Sequence, residues 1–452
     1  MTTVVNVTVK NGFCCGCGVC AGICPQKNLE MKWNIYGEYN PSQIHDCKTE
    51  CGLCLSVCPF VDGNDDEDII GKNFYGSLPD IHHRSEVGYY LDAKVGWVSN
   101  DEHRISSTSG GLATWFLEEL LKQDIVDAVI CVHHADSNDK LFQFVVSTTP
   151  EDVRKSSGSA YYPVELSEVI HFIAKHPKRY AVIGLPCVIK AVRLAQKKIA
   201  YLRERIVIAV GLCCSNLKST YFTEYAAIAS GHSNPCYVSY RQKSNTTTPK
   251  FYWFRFRFRF RDGINTELDW RPELWRMYMS RCFTLSACEC CDDMFAECAD
   301  VTFMDAWLPQ YSKREAKGTS ICLIRSEIAK NVLDSDGLVL KSIPIKWVIA
   351  SQTSLHWKRD LLSYRLSLME KEGAYHPKKR VLAGKGHALC FEREEVRKAM
   401  VIQHESRLRG ASRFDEIGEW FSREYGNCSW ICKFARKFSV GWVCWMFKYL
   451  VK

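Results

Sequence analysis

Two cysteine runs near the amino terminus carry the clearest chemistry in this chain. Cys14-x2-Cys17-x2-Cys20-x3-Cys24-Pro25 is followed by Cys47-x3-Cys51-x2-Cys54-x3-Cys58-Pro59, the same run with one extra residue in its first gap. Three closely spaced thiolates wrap one face of a four-iron cubane, and in two-cluster ferredoxins the fourth cysteine of each run ligates the other cluster. The spacing therefore predicts one 4Fe–4S cluster on Cys14, Cys17, Cys20 and Cys58, and a second on Cys47, Cys51, Cys54 and Cys24. Gly16, Gly18 and Gly52 suit backbone that must approach sulfur closely. Cys15 is a bystander in this pattern. Structural zinc sites use paired CxxC knuckles rather than triplets closed by Cys-Pro, which argues against zinc. Two adjacent clusters make an electron wire, not by themselves an enzyme.

Further along, CECCDDMFAECADVTFMDAW (Cys288 to Trp307) packs four cysteines into eleven residues and then enters an apolar, strand-like segment. Its spacing matches neither a zinc finger nor a ferredoxin. Two Gly/Ser loops offer a different chemistry. Ser109-Gly110-Gly111 opens an amphipathic helix, where free amides and the helix dipole favour an anion. KSSGSAYY (Lys155 to Tyr162) adds more amides, a cation at Lys155 and tyrosines able to stack on a flat ring. Either loop alone reads as an ordinary turn or helix cap. Together, in a chain already rich in cluster ligands, they point to a flavin nucleotide.

These residues need a scaffold, and the pattern around them supplies one. KRYAVIGLPC (Lys178 to Cys187) reads as a buried strand and a tight turn before a helix. RIVIAVGLCC (Arg205 to Cys214) is a second strand that delivers cysteines at its carboxyl end. Strands alternating with helices argue an α/β domain with ligands at the strand ends. The acidic stretch from Asp62 to Asp68 reads as a solvated linker. The expected organisation is a ferredoxin-like domain over 1–62, a linker over 63–86, an α/β catalytic domain over 87–311 carrying the flavin loops and the later cysteines, and a mostly helical region over 312–452.

The 452 residues are 46% hydrophobic and 24% charged, as in ordinary globular proteins. A net charge of +8 with acidic and basic residues intermixed excludes a nucleic-acid binder as the leading class. The 24 cysteines would suit a secreted disulfide scaffold. However, MTTVVNVTVK lacks a basic start followed by an apolar core, and the chain is too long to need staples. With no run near the roughly 18 apolar residues of a membrane span, a cytoplasmic protein is expected.

The ordered motifs resemble the beta subunits of coenzyme F420 hydrogenases and dehydrogenases. They are the double ferredoxin run, STSGG, GSAYYP, IGLPC, VGLCC and CDDMFAECADVTFMDAW, across roughly residues 10–310. Relatives include 7-hydroxymethyl chlorophyll a reductase and ferredoxin-fused bacterial proteins associated with polysaccharide biosynthesis. The resemblance implies FAD, with Ser109, Gly110 and Gly111 in its first loop and Gly158, Ser159 and Tyr161 in its second. It also implies a third 4Fe–4S cluster on Cys187, Cys213, Cys288 and Cys291, while Cys290 points elsewhere. Cys298, next to an apolar strand, reads as a buried thiol, and Cys282 is a weaker alternative ligand. Ala160 replaces the lysine usual in the second loop, so a basic contact is missing unless Lys155 supplies it. Leu185, Val188 and Met304 are further departures, so the substrate need not be the deazaflavin.

The function expected is an iron–sulfur flavoprotein oxidoreductase. Its donor would be reduced ferredoxin or a deazaflavin, and it would act on a small organic molecule. The alternative is a non-catalytic subunit relaying electrons to a partner enzyme. Proton donors would come from Asp305, His133 and His134. FRFRFRF alternates phenylalanine and arginine, predicting one two-faced strand whose arginines are either solvated or gathered into a cationic strip. The terminal WICKFARKFSVGWVCWMFKYLVK mixes aromatics and cations, suiting a helix docked on the core or a second subunit, with a membrane surface as the alternative.

Overall fold

Short apolar runs bounded by turns become the strands of one large sheet. In chain order these are β1 (Asp92–Val98), β2 (Ala128–His134), β3 (Phe142–Ser147), β4 (Tyr180–Gly184), β5 (Ile206–Leu212), β6 (Val301–Asp305), β7 (Ser320–Ile324) and β8 (Leu338–Ser342). The computed structural model describes residues 2–47, 51–244, 254–270, 272–386 and 388–426. Across the sheet the order is β8-β1-β7-β6-β5-β4-β2-β3. The pairings β2–β4, β4–β5 and β5–β6 are parallel, and the other pairings in the sheet are antiparallel. The protein is thus mixed α/β, with a parallel centre and antiparallel edges. β4 is buried along its whole length, which is why YAVIG reads as a continuous apolar run rather than an alternating one.

The carboxyl ends of β4 and β5 lie side by side. The first hands over to the helix Pro186–Lys198, with proline at its start and Cys187 in its first turn. The second ends at the Cys213-Cys214 pair. Loops at the carboxyl ends of parallel strands are where α/β sheets place their ligands.

The amino-terminal cysteine runs are carried by a hairpin, Leu29–Trp33 with Tyr39–Gln43, and by the short helices Val19–Gly22 and Leu53–Ser56. This unit is welded to the sheet's helical layer. A Cβ on Gly22 would lie 2.7 Å from Ile170 Cβ on the helix Ser167–Lys175. Gly18, at φ 75°, leaves room for Leu166 N to donate to Cys17 O at 2.9 Å. A side chain at either position would push the two elements apart.

Residues 63–86 are not the solvated linker that composition suggests. Asp66 caps the helix Glu67–Tyr75, accepting from Ile69 N at 2.9 Å. Acidic residues in a first turn also favour that helix end. Glu67 is buried and pairs with Lys190 at 3.0 Å and Arg380 at 3.3 Å. The expected boundary at 311/312 also cuts through the sheet, because β7 and β8 lie beyond it. From Ile345 onward the described elements are helical.

A second, three-stranded sheet is built from Pro235–Lys243, Phe254–Phe260 and Asn265–Asp269. Phe256, Phe258 and Phe260 fill its buried face. On the other face Arg255 pairs with Asp269 at 2.7 Å and Arg257 with Glu267 at 2.8 Å. Cross-strand acidic partners thus answer much of the arginine strip.

The helix Leu355–Lys358 is tied to its neighbours by His356, whose ring nitrogens lie 2.9 Å from Asp360 and 2.9 Å from Glu392. Burial alone would lower its pKa, but these two hydrogen bonds and charges outweigh burial and raise it to about 9. The folded value lies above the ordinary value of about 6.5, so the clamp is at full strength below about pH 6.5 and is lost as pH rises through about 9. The urea midpoint is expected to fall across that window by less than about 3 kcal/mol equivalent, and His356→Gln to flatten the slope. A variant with the wild-type slope would assign the effect to another group.

Among the described residues no helix is long and apolar enough to cross a membrane. The aromatic and basic terminal segment, 430–452, lies outside the described residues.

Candidate functional site

The structure brings Cys14, Cys17, Cys20 and Cys58 into one group. Burial, then the neighbouring thiols Cys17, Cys14 and Cys58, push the Cys20 thiol well up. Burial likewise drives Cys58 up to about 12, with Cys17 among the lesser causes. Cys54 keeps company with Cys51 and Cys24, which add to the upward effect of its burial. Cys47 is partly buried. Gly16, Gly18 and Gly52 all adopt the left-handed conformation that glycine tolerates. Cys51 is exposed, whereas Cys17, Cys20 and Cys58 are buried, so the second group is the outer one.

Behind the inner group lies a cavity lined by Cys15, Phe60, Cys187, Cys214, Cys288, Cys291 and Lys358, with Leu185, Pro186 and Leu217 closing it. Cys187 comes from the turn after β4 and Cys214 from the end of β5. Cys288 lies in the short 3-10 turn Ser286–Cys290, which Cys291 follows. Two donors already aim at sulfur: Leu217 N–H toward Cys288 Sγ at 3.2 Å, and Lys358 Nζ toward Cys291 Sγ at 3.0 Å. Among the described residues no three His, Cys, Asp or Glu side chains converge as they would on a single metal ion. The thiols instead ring a shared space.

Cys213 is not part of that ring. Its amide donates to Phe303 O at 3.0 Å, and its thiol turns to Gln352 Oε1 at 3.7 Å, against a different part of the core. The next residue, Cys214, faces the cavity and feels Cys288, Cys187 and Cys291. Successive side chains leaving a strand point to opposite faces, so neighbouring cysteines cannot both enter one site. Cys290 and Cys298 are sealed in the apolar core on the amino-terminal side, and Cys282 in the core of the second sheet.

Cys15 is no bystander. It stands inside the first run, between Cys14 and Cys17, and also lines the cavity with Cys187, so it joins the inner amino-terminal group to the cavity. Neighbouring Cys15 is the first cause of the lowered pKa of Cys187, against burial, which raises it. A cysteine outside a recognised spacing carries no signal of this kind in sequence.

The two Gly/Ser loops meet. Ser157 Oγ lies 3.3 Å from Ser107 Oγ, and Ser159 Oγ 3.4 Å from Thr108 Oγ1. Gly111, at φ 85°, caps the helix Leu112–Lys122, and Gly110 N donates to Ser320 Oγ at 2.9 Å. Ser109 Oγ donates to Thr319 O at 2.9 Å, while the Thr319 hydroxyl beside it is buried with no hydrogen-bond partner. Lys155 stands apart, exposed and paired with Asp152 at 2.7 Å. Gly158 has open space where a Cβ would be.

Buried cations missed by sequence reasoning surround the first loop instead. Lys243 Nζ donates to Ser109 O at 2.9 Å and to Arg104 O at 2.6 Å. Burial, helped by Arg104 and Arg241, brings the Lys243 pKa down to about 7. Arg241 grips Asp305 through two hydrogen bonds, 2.9 and 3.2 Å. The strand Pro235–Lys243 ends on the polar run Arg241-Gln242-Lys243, which reads as solvated in sequence and hid the two cations.

His133 and His134 lie away from Asp305. His133 Nε2 is 3.4 Å from Ser147 Oγ. His134 Nε2 meets Val238 O at 2.9 Å, and its ring stacks on Tyr237 at 4.1 Å, holding β2 to the second sheet. Burial lowers the pKa of both.

Two partly buried rings lie between the cavity and the loops. Burial raises the Tyr278 pKa, with Cys214 among the lesser causes, and its ring centre lies 5.5 Å from that of Tyr161.

The amino-terminal domain of the coenzyme F420 hydrogenase/dehydrogenase beta subunit matches residues 93–171. The carboxyl-terminal domain of the same protein matches residues 177–343. The chain belongs to this family. Its two family domains cover nearly all of the large sheet, the Gly/Ser loops and four of the five cavity cysteines. Residues 1–92 and 344–452 lie outside both matches, so Cys15 and Lys358 come from outside them.

One relative belongs to the F(420)H(2) dehydrogenase of Methanosarcina mazei, as one of its subunits. It is 22% identical over 222 residues, 47% of this chain and 56% of the relative. Another is the coenzyme F420-dependent sulfite reductase of Methanocaldococcus jannaschii, 28% identical over 193 residues, 42% of this chain and 26% of the relative. The chain thus spans just over half the length of the first relative and about a quarter of the second. Among solved structures, a chain of the F420-reducing [NiFe] hydrogenase complex from Methanosarcina barkeri aligns with 72% of this chain and 94% of its own length. That alignment has 16% identity and a TM-score of 0.43.

Proposed function

We propose that the chain is an iron–sulfur flavoprotein oxidoreductase. It would move electrons between ferredoxin-type clusters and FAD, and so reduce or oxidise a small organic molecule or a deazaflavin-type cofactor. The position of Cys15 carries this reading, because a residue inside the first amino-terminal run also lines the cavity of Cys187, Cys214, Cys288 and Cys291. The donor sets therefore form one continuous series. When bound, iron–sulfur clusters exchange single electrons and a flavin exchanges two, which joins the two regimes.

The chain's own residues fit such groups. Cys187, Cys214, Cys288 and Cys291 would hold the third cluster, with the N–H of Leu217 and the ammonium of Lys358 directed at its sulfurs. At the loops, the free hydroxyl of Thr319, the helix start at Gly111 and the buried Arg104, Arg241 and Lys243 suit an anionic nucleotide. Tyr278 and Tyr161 fill the space between and exclude water. We assign Lys243 to hold or release a proton there, with Asp305 fixing Arg241 beside it, rather than His133 or His134. The exposed Cys51 makes the outer amino-terminal group the docking point for a donor such as reduced ferredoxin.

The relatives' names favour a deazaflavin as the two-electron partner. One of those relatives works as part of a larger dehydrogenase, which keeps open a second reading, a relay that hands electrons to a partner enzyme. The test is an anaerobic preparation assayed for iron, flavin and bleaching by a deazaflavin, nicotinamide or reduced ferredoxin. About twelve irons and bound FAD are expected from three four-iron clusters and one flavin. Eight irons with no flavin would remove the site from the α/β domain.

A further inference from the structure

Lys358 is the charged side chain in the wall of the thiol-lined cavity, and it is 4% exposed. It ends the short helix Leu355–Lys358, which the clamp at His356 holds in place. Its ammonium donates to Cys291 Sγ at 3.0 Å and to Asp293 O at 2.7 Å. Neither acceptor is a carboxylate, and a buried ammonium needs a compensating negative charge. The surrounding thiols supply that charge once they are thiolates.

We infer that Lys358 tunes the third centre, holding its reduction potential above the value that Cys187, Cys214, Cys288 and Cys291 alone would set. A reduced cluster carries one more negative charge than an oxidised one, so a fixed cation at hydrogen-bonding distance favours the reduced form. Net charge and hydrogen bonds to sulfur are the levers by which a protein sets such potentials. Lys358 lies beyond the family match that ends at residue 343, so the helical region contributes directly to the redox site. Undocking that region would make the centre harder to reduce.

This inference rests on the third centre of the proposed function, and the experiment separates the two. The full chain is purified anaerobically, its iron is counted, and the centres are titrated by electron paramagnetic resonance. A wild-type chain with only about eight irons sinks the third centre itself. Given the full complement, Lys358→Met is expected to lower one midpoint by at least ~59 mV, a tenfold change in a one-electron equilibrium, with the other two unmoved. Lys358→Arg, which keeps the charge, is expected to restore it. Should the methionine chain lose iron, Lys358→Gln keeps a hydrogen-bond donor without charge and reads the same shift. A neutral variant with full iron and an unmoved midpoint overturns the inference.

Discussion

A Cys214→Ser chain is expected to leave an anaerobic column about four irons short, whereas Cys213→Ser keeps its full complement. The two residues are neighbours at the end of β5, and motif matching alone favours the first of them. Backbone pairing decides between them. Cys213 N donates to Phe303 O on β6, and Cys214 N to Met294 O, so the chain is still extended and the two thiols face opposite ways. One enters the cavity with Cys187, Cys288 and Cys291, and the other reaches Gln352. The absorbance and resonance signals of the amino-terminal clusters should survive in both variants. Iron loss in Cys213→Ser with retention in Cys214→Ser would mean that the loop rearranges when it is loaded.

Replacing Arg380 with methionine is expected to destabilise the protein by about 3–5 kcal/mol, read as a lowered urea or thermal midpoint. Arg380 forks onto Glu297 at 2.6 and 2.9 Å and reaches Asp292 and Glu67 at 3.3 Å each. The arginine side chain is 8% exposed, and those of Glu297, Asp292 and Glu67 are 1%, 1% and 5%. Removing the cation leaves carboxylates buried with too few partners, which costs far more than an exposed pair is worth. Lys190 and Arg359 compensate only in part, at 3.0 Å from Glu67 and 2.8 Å from Glu297. Asp292 directly follows Cys291, so the variant should also loosen iron at the third centre. A midpoint shift below about 1 kcal/mol would class these contacts with ordinary surface pairs.

Much of the fold was legible because it rests on local signals. YAVIG and IVIAV are continuous apolar runs that only doubly covered strands tolerate, and both lie near the middle of the sheet. FRFRFRF has period two and forms a two-faced strand. Signals failed where a polar residue was used inside the core. The acidic run after Phe60 looks solvated, yet Glu67 within it is buried by partners more than 100 residues away. SICLI and LVLKS are too short to stand out from the helical region around them, although LVLKS forms the sheet's edge and SICLI lies two strands in from it.

By itself, the sequence determined the chemistry on offer. Cysteine type and spacing follow from covalent geometry over a few residues, so the two amino-terminal runs, the Cys288 and Cys291 pair and the glycine turns can be read without a fold. Only the tertiary structure decided which thiols share a space. Cys15, Cys187, Cys214, Cys291 and Lys358 are drawn from five separate stretches of chain, and their meeting depends on β4 and β5 ending side by side and on the helical region closing over them. Spacing along the chain carries no information about contacts made across it.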